Sequence, residues 1–145
     1  TDDFIIVYLS NDSSDFELEL TWLKEPPQPY MFSEWRKMLD EVFSLIRQDW
    51  LSSIDMDCLL TMMALDDETE DVLDYLTAQG SPLLIVSLTY IGLHSIFPQA
   101  RWQCAELIGR RSIPDRVALL RQYAKDRDAY VAKRAGNVLE AIADK

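Results

Sequence analysis

The second half of the chain repeats itself with an offset of 31–32 residues, and that constrains the fold more than any other feature. Ser81-Pro82 opens one helix and Ile113-Pro114 opens another, 32 residues later. Proline is expected at the first helical position of each, where its missing N–H leaves no gap in the hydrogen-bond ladder. Each of these helices precedes a second one. Ala100, Cys104, Leu107 and Ile108 form the apolar stripe of the first, and Val131, Ala135, Val138 and Leu139 form the stripe of the other, each 31 residues on. The i, i+4, i+7, i+8 spacing predicts amphipathic helices. Cys104-Ala105 and Ala135-Gly136 put small residues mid-face, where neighbouring helices can approach closely. A two-helix unit of this size cannot bury its own stripe, so the units must stack on one another. The segment 50–80 has the same two-helix length with a weaker match.

Upstream of the repeat the periodicity stays helical back to Ser33. Trp35, Met38, Leu39, Val42, Ile46 and Trp50 recur at helical spacing, with Ser33 as the expected N-cap. Further helices are predicted over 54–65 and over 68–79, the latter ending before Gly80. The apolar run from Pro82 to Pro98 is interrupted by Ser87, Thr89, His94 and Ser95. It is short for a membrane span and reads as a buried helix over 82–94. Before residue 33 the pattern changes. Residues 4–9 are β-branched and aromatic, 10–15 are a polar turn cluster, and Phe16, Leu18, Leu20 and Trp22 alternate with Glu17, Glu19 and Thr21. This predicts a β-hairpin over 1–25 and a proline-rich connector over 26–32. A hairpin alone is marginal in water, so its apolar side needs helices to pack on. The expected fold is mostly α: one domain over 1–145, about seven helices in stacked antiparallel pairs over 33–145, and a short N-terminal hairpin.

The helix Gln99–Gly109 reads apolar, Arg101, two variable positions, Cys104-Ala105, then Leu107-Ile108 before Gly109. It resembles the second helix of a short HEAT repeat. Tyr130–Leu139 is similar to it, but has Ala132 where that family usually has Arg and Glu140 where Gly is common. The resemblance covers about 81–144. It implies a right-handed stack of helix pairs whose usual task is binding, and it does not name a partner.

Charge narrows the class of partner. The net charge is −11, unevenly spread. Residues 1–80 hold four Lys/Arg against nineteen Asp/Glu, a net of −15, whereas 81–145 hold ten against six, a net of +4. A strongly acidic half repels phosphate backbones and attracts cationic proteins. The densest cluster is Asp66, Asp67, Glu68, Glu70 and Asp71, with Asp74 one turn on. Part of it fits helix capping, with Asp67 and Glu70 spaced as a capping box. Capping alone needs only one or two acids, so the alternative is a docking surface for a basic partner; Glu17 and Glu19 on the outer face of the second strand are either a solvated, edge-protecting face or a second acidic contact patch. The run lacks the central Gly and terminal Glu of an EF-hand loop. Trp102 falls off the Ala100–Cys104–Ile108 stripe, so it is expected either on the surface or against an adjacent helix; if exposed, it is a candidate interface anchor. The arginines of the second half are expected to form ion pairs with Glu106, Asp115, Asp126 and Asp128, or to pack that half against the acidic one.

No catalytic motif stands out. There is no Gly-rich phosphate loop, no HExxH and no GxSxG. His94, the single histidine, is expected at a helix end. Cys58 and Cys104 are isolated, without metal-ligand spacing, and read as free thiols in a reducing cytoplasm. No enzyme activity, cofactor or metal is expected. In size, acidity and helical-repeat architecture the chain resembles bacterial immunity proteins, which neutralise the toxic domains of contact-dependent inhibition and other polymorphic toxin systems. That resemblance implies a cytoplasmic inhibitor docked 1:1 on a cationic toxin domain, such as a nuclease, with no membrane and no nucleic acid as partner. A general HEAT-like protein–protein adaptor, and a nucleic-acid enzyme of the HEAT-like glycosylase kind, are the alternatives.

Overall fold

The computed structural model describes residues 32–49 and 54–143. Among these residues the chain is helical, with seven helices and no strand. In chain order they are α1 (Phe32–Arg47), α2 (Met56–Leu65), α3 (Asp71–Gln79), α4 (Pro82–Gly92), α5 (Pro98–Arg111), α6 (Arg116–Tyr123) and α7 (Ala129–Ala143). The expected hairpin over 1–25, with Glu17 and Glu19, and most of the connector lie outside the described residues. No described helix is long and apolar enough to cross a membrane.

Local chemistry sets most of the helix ends. Asp55 caps α2 by accepting the Cys58 N–H at 3.1 Å. Ser81 caps α4, its Oγ accepting from Leu84 N at 3.2 Å, and Pro82 occupies the first turn. Five boundaries depart from the periodic pattern. Helix α2 begins at Met56 rather than 54, behind its Asp55 cap. Helix α1 already begins at Phe32, which leaves Ser33 inside its first turn rather than at its cap. Helix α3 begins at Asp71 rather than 68, because Glu70 sits in the left-handed region at φ 57° and cannot extend the helix backwards. Helix α4 stops at Gly92, which places His94 in the following turn. Helix α6 begins at Arg116, two residues after Pro114, because Ser112 at φ 53° and Asp115 at φ 59° turn the chain between them.

Helix α5 is the centre of the packing. It touches α2, α3, α4, α6 and α7, and its contact with α7 is the most extensive in the molecule. The other contacts run α1 on α3, α2 on α3, α2 on α4 and α6 on α7. Ala100, Cys104, Leu107 and Ile108 of the α5 stripe are fully buried, as are Val131 and Ala135 of α7. Complete burial of a residue such as Leu107 contributes roughly 1.5–3 kcal/mol. The α5–α7 crossing is tight at Gly109, where a Cβ would lie 2.6 Å from Val138 Cγ1. At Gly136, by contrast, a Cβ would meet nothing within 4 Å, so that small residue is not what brings these helices together. Both thiols are held unreactive by burial, Cys104 in the core and Cys58 partly covered beside Asp55; each is pushed up to about 12.

Candidate interaction cleft

Three connections of equal length, 66–70, 93–97 and 124–128, each join two successive helices. An aspartate is buried in the first and in the last. Asp66, 6% exposed, turns inward. Its Oδ2 accepts the Val72 N–H at 2.8 Å and its Oδ1 accepts the Thr69 hydroxyl. Burial pushes its pKa up, against these hydrogen bonds. Asp126 instead meets a cation. Arg101, 1% exposed, crosses from α5 and grips it through Nε at 2.7 Å and Nη2 at 3.1 Å, while its Nη1 donates to Ser95 O at 2.7 Å. Burial works against the Asp126 charge. The Arg101 hydrogen bonds, the Asp128 backbone N–H and the guanidinium charge together outweigh it and leave the pKa below the ordinary carboxylate range.

Between these two connections and the start of α5 lies an open cleft of about 480 Å³. Asp67 and Glu70 form its first wall, Pro98 and Gln99 its α5 rim, and Asp128 and Tyr130 its far wall. Trp102 lies at the base under Arg134, whose guanidinium stacks 4.3 Å from the indole centroid. Glu106 holds Arg134 there, at 2.7 Å to Nη2 and 2.8 Å to Nε. The Tyr130 ring meets Trp102 edge-on, at 5.8 Å and 88°. Asp128 fixes the entry of α7 by accepting from Tyr130 N at 2.9 Å and Val131 N at 3.1 Å. Burial raises the Asp67 pKa, and the neighbouring Glu68 and Glu70 charges add to the rise. Gln99 Oε1 is buried without a hydrogen-bond partner. The lining is therefore rich in acceptors and carboxylates, with one aromatic ring, Tyr130, half open to solvent.

The cleft gathers Asp67, Glu70 and Trp102 of the residues singled out from the sequence, and leaves the others apart. Asp66 is withdrawn from the surface because it caps α3, a task the sequence pattern assigned to Asp67 and Glu70. Glu68 is exposed beyond the cleft, and Asp71 is half-buried in the first turn of α3. Asp74 is exposed and paired with Arg110 at 3.0 Å; Arg110 also reaches Glu70 at 3.9 Å. Trp102 is 7% exposed and lies against α7, the second of the two positions open to it; Tyr130, at 50%, is the exposed aromatic of the cleft. Tyr130 and Gln99 were not singled out, and Asp128 and the arginines, Arg134 among them, were expected only as ion-pairing groups. Tyr130 and Arg134 share an α7 face at i, i+4, as Trp102 and Glu106 share one on α5. Nothing in the sequence showed that these two faces meet.

The arginines of the second half are largely engaged. Arg101 and Arg134 take Asp126 and Glu106. Arg110 crosses to the acidic run, and Arg111 Nη1 donates to the α3-terminal carbonyls of Leu76 at 3.0 Å and Gly80 at 2.6 Å. Among the described residues no group of three or more His, Cys, Asp or Glu side chains could hold a metal ion. No family model matches the chain, and no curated protein and no solved structure matches it.

Proposed function

We propose that this chain is a non-enzymatic binding protein that docks a cationic protein at the cleft, as an immunity-type inhibitor docks a basic toxin domain. The observation that carries the reading is the ring of Asp67, Glu70 and Asp128 around an open cleft, with Tyr130 half exposed at its edge, in a chain of net charge −11. The carboxylates would accelerate encounter with a positive surface, and Tyr130 would set the dissociation rate once desolvated. We read the helix pairs as a HEAT-like stack. That is supported by the two buried stripes, the three five-residue connections and the packing order α3–α5–α7 beside α2–α4. A frame of this kind would hold the cleft rigid. Arg101, Arg110, Arg111 and Arg134 are bonded internally and are not free to meet a nucleic-acid backbone.

The test is capture of the partner from the native cell, followed by binding kinetics at low and high salt. Association should slow steeply with salt. The double reversal Asp67→Lys/Glu70→Lys, with helicity retained, should weaken binding by about 100-fold or more, a loss of about 2.7 kcal/mol. Association indifferent to salt, or full binding by the reversal variant, would leave the apolar adaptor reading in its place.

A further inference from the structure

The acidic run already holds one cation of the chain's own. Arg110, in the last turn of α5, bridges two carboxylates one helical turn apart. Its Nη1 lies 3.0 Å from Asp74 Oδ1 and its Nη2 3.9 Å from Glu70 Oε1. Nη1 also donates to Thr77 Oγ1 at 3.3 Å. Among the described residues no other Lys or Arg is paired with the run. The Arg110 and Glu70 side chains are 33% and 36% exposed, so water and an approaching partner both reach the bridge. Its loss would not undock α3, because Arg111 separately holds the far end of that helix through the carbonyls of Leu76 and Gly80.

Glu70 faces two claims. It lines the cleft with Asp67, and it is the acid toward which Nη2 of Arg110 reaches. Its backbone is fixed in the left-handed region at φ 57°, with its N–H donating to Asp66 O at 2.8 Å and its carbonyl accepting from Asp74 N at 2.9 Å. The turn therefore keeps the carboxylate within reach of both. A carboxylate beside an internal guanidinium attracts an incoming cation less, because the two cations repel each other and compete for the same oxygens. A pair this exposed is held weakly, so a partner presenting several cations can displace it. We propose that Arg110 is a built-in competitor for the acidic rim: it occupies Glu70 and Asp74 until a cationic partner takes its place, and it sets how much positive charge that partner must carry. This names a regulator of the proposed docking site and rests on that reading.

The test is titration of the full chain with a hexa-arginine peptide at about 0.01 M salt, where charges act over about 30 Å. The amide resonances of Asp67, Glu70 and Tyr130 report occupancy of the cleft. Arg110→Gln should bind the peptide about threefold to fivefold more tightly than the wild type. A bridge that only braces α3 would, once lost, leave binding equal or weaker, and either result overturns the proposal. Arg110→Met, which keeps the apolar stem, takes the place of the Gln variant if that one loses helicity. In a Glu70→Gln/Asp74→Asn background Arg110→Gln should give no gain. The full gain persisting there would mean that removal of positive charge, not competition, is the cause, and would also overturn it. The docking reading fails by a different result: no shift at the three amides in any variant removes the cleft as a site and the competitor with it, whereas equal cleft affinity in the wild type and Arg110→Gln removes the competitor alone.

Discussion

The connections 66–70 and 124–128 have the same length, the same place between two helices and a buried aspartate each, yet they solve the burial of a charge in opposite ways. Asp66 is met by neutral donors, the Val72 N–H and the Thr69 hydroxyl, and its pKa rises. Asp126 is met by the Arg101 guanidinium, and its pKa falls. The first aspartate works locally, closing the start of α3. The second works at long range, tying α5 to the connection before α7. A buried carboxylate thus says little about its role until its donors are known: neutral donors make it a cap, and a buried cation makes it a clamp.

Removing the cation should break the comparison most severely. Arg101→Met leaves Asp126 buried without its partner and should destabilise the fold by about 3–5 kcal/mol, read as a shift in the urea midpoint. A loss below about 1 kcal/mol would mean that the clamp is ornamental. Asp66→Ala removes a cap and should cost about 1–2 kcal/mol in the same assay. Asp66→Asn keeps an acceptor for Val72 and should recover most of that loss at neutral pH, whereas Asp126→Asn, which weakens a bidentate charged pair, should not be tolerated equally. If the two Asn variants cost the same, the distinction between cap and clamp fails.

The smallest effect is in the pH dependence, and it has opposite signs at the two sites. Asp126, lowered in the folded state, adds stability above the ordinary carboxylate pKa that is lost as pH falls through its folded value. Asp66, raised in the folded state, adds stability at acid pH that is lost as pH rises through its folded value. Neither proton can change the slope by more than about 1.4 kcal/mol per pH unit. Thermal melts between pH 7 and pH 3 should therefore show acid destabilisation blunted by Asp126→Asn and sharpened by Asp66→Asn. Matching acid limbs in the two variants would refute the sign assignment.

Much of the fold was legible in advance. The apolar stripe of α5 is wholly buried and that of α7 is buried at Val131, Ala135 and Val138 and half-buried at Leu139, because a 3.6-residue period leaves only one way to hide residues such as Ala100, Cys104, Leu107 and Ile108 together. Ser81-Pro82 marked the start of α4 because its capping chemistry is local. The pattern failed where backbone torsion intervened: Glu70 and Asp115 in left-handed conformations moved the starts of α3 and α6. It was also undecided where one helix covers another. Trp102, off the stripe of its own helix, left solvent and a neighbouring helix both open, and Arg134 and Tyr130 of α7 close over it. The cleft was half legible for the same reason. Its acids stand out as a run, but its far wall comes from a helix 60 residues downstream of Glu70.

What the linear chain determined alone is the set of short-range choices: helix periodicity, the Asp55 and Ser81 caps, the absence of charge in α4 and the −11 imbalance. These follow from interactions spanning four residues or fewer, or from composition. Tertiary structure alone decided which charges are free. Asp66 is turned inward, Arg101 reaches Asp126 from 25 positions away, and Arg134 settles on Trp102 under the hold of Glu106. The physical reason is that a charge's worth depends on its dielectric surroundings and on the partner within about 4 Å, and both are set only when separate helices pack.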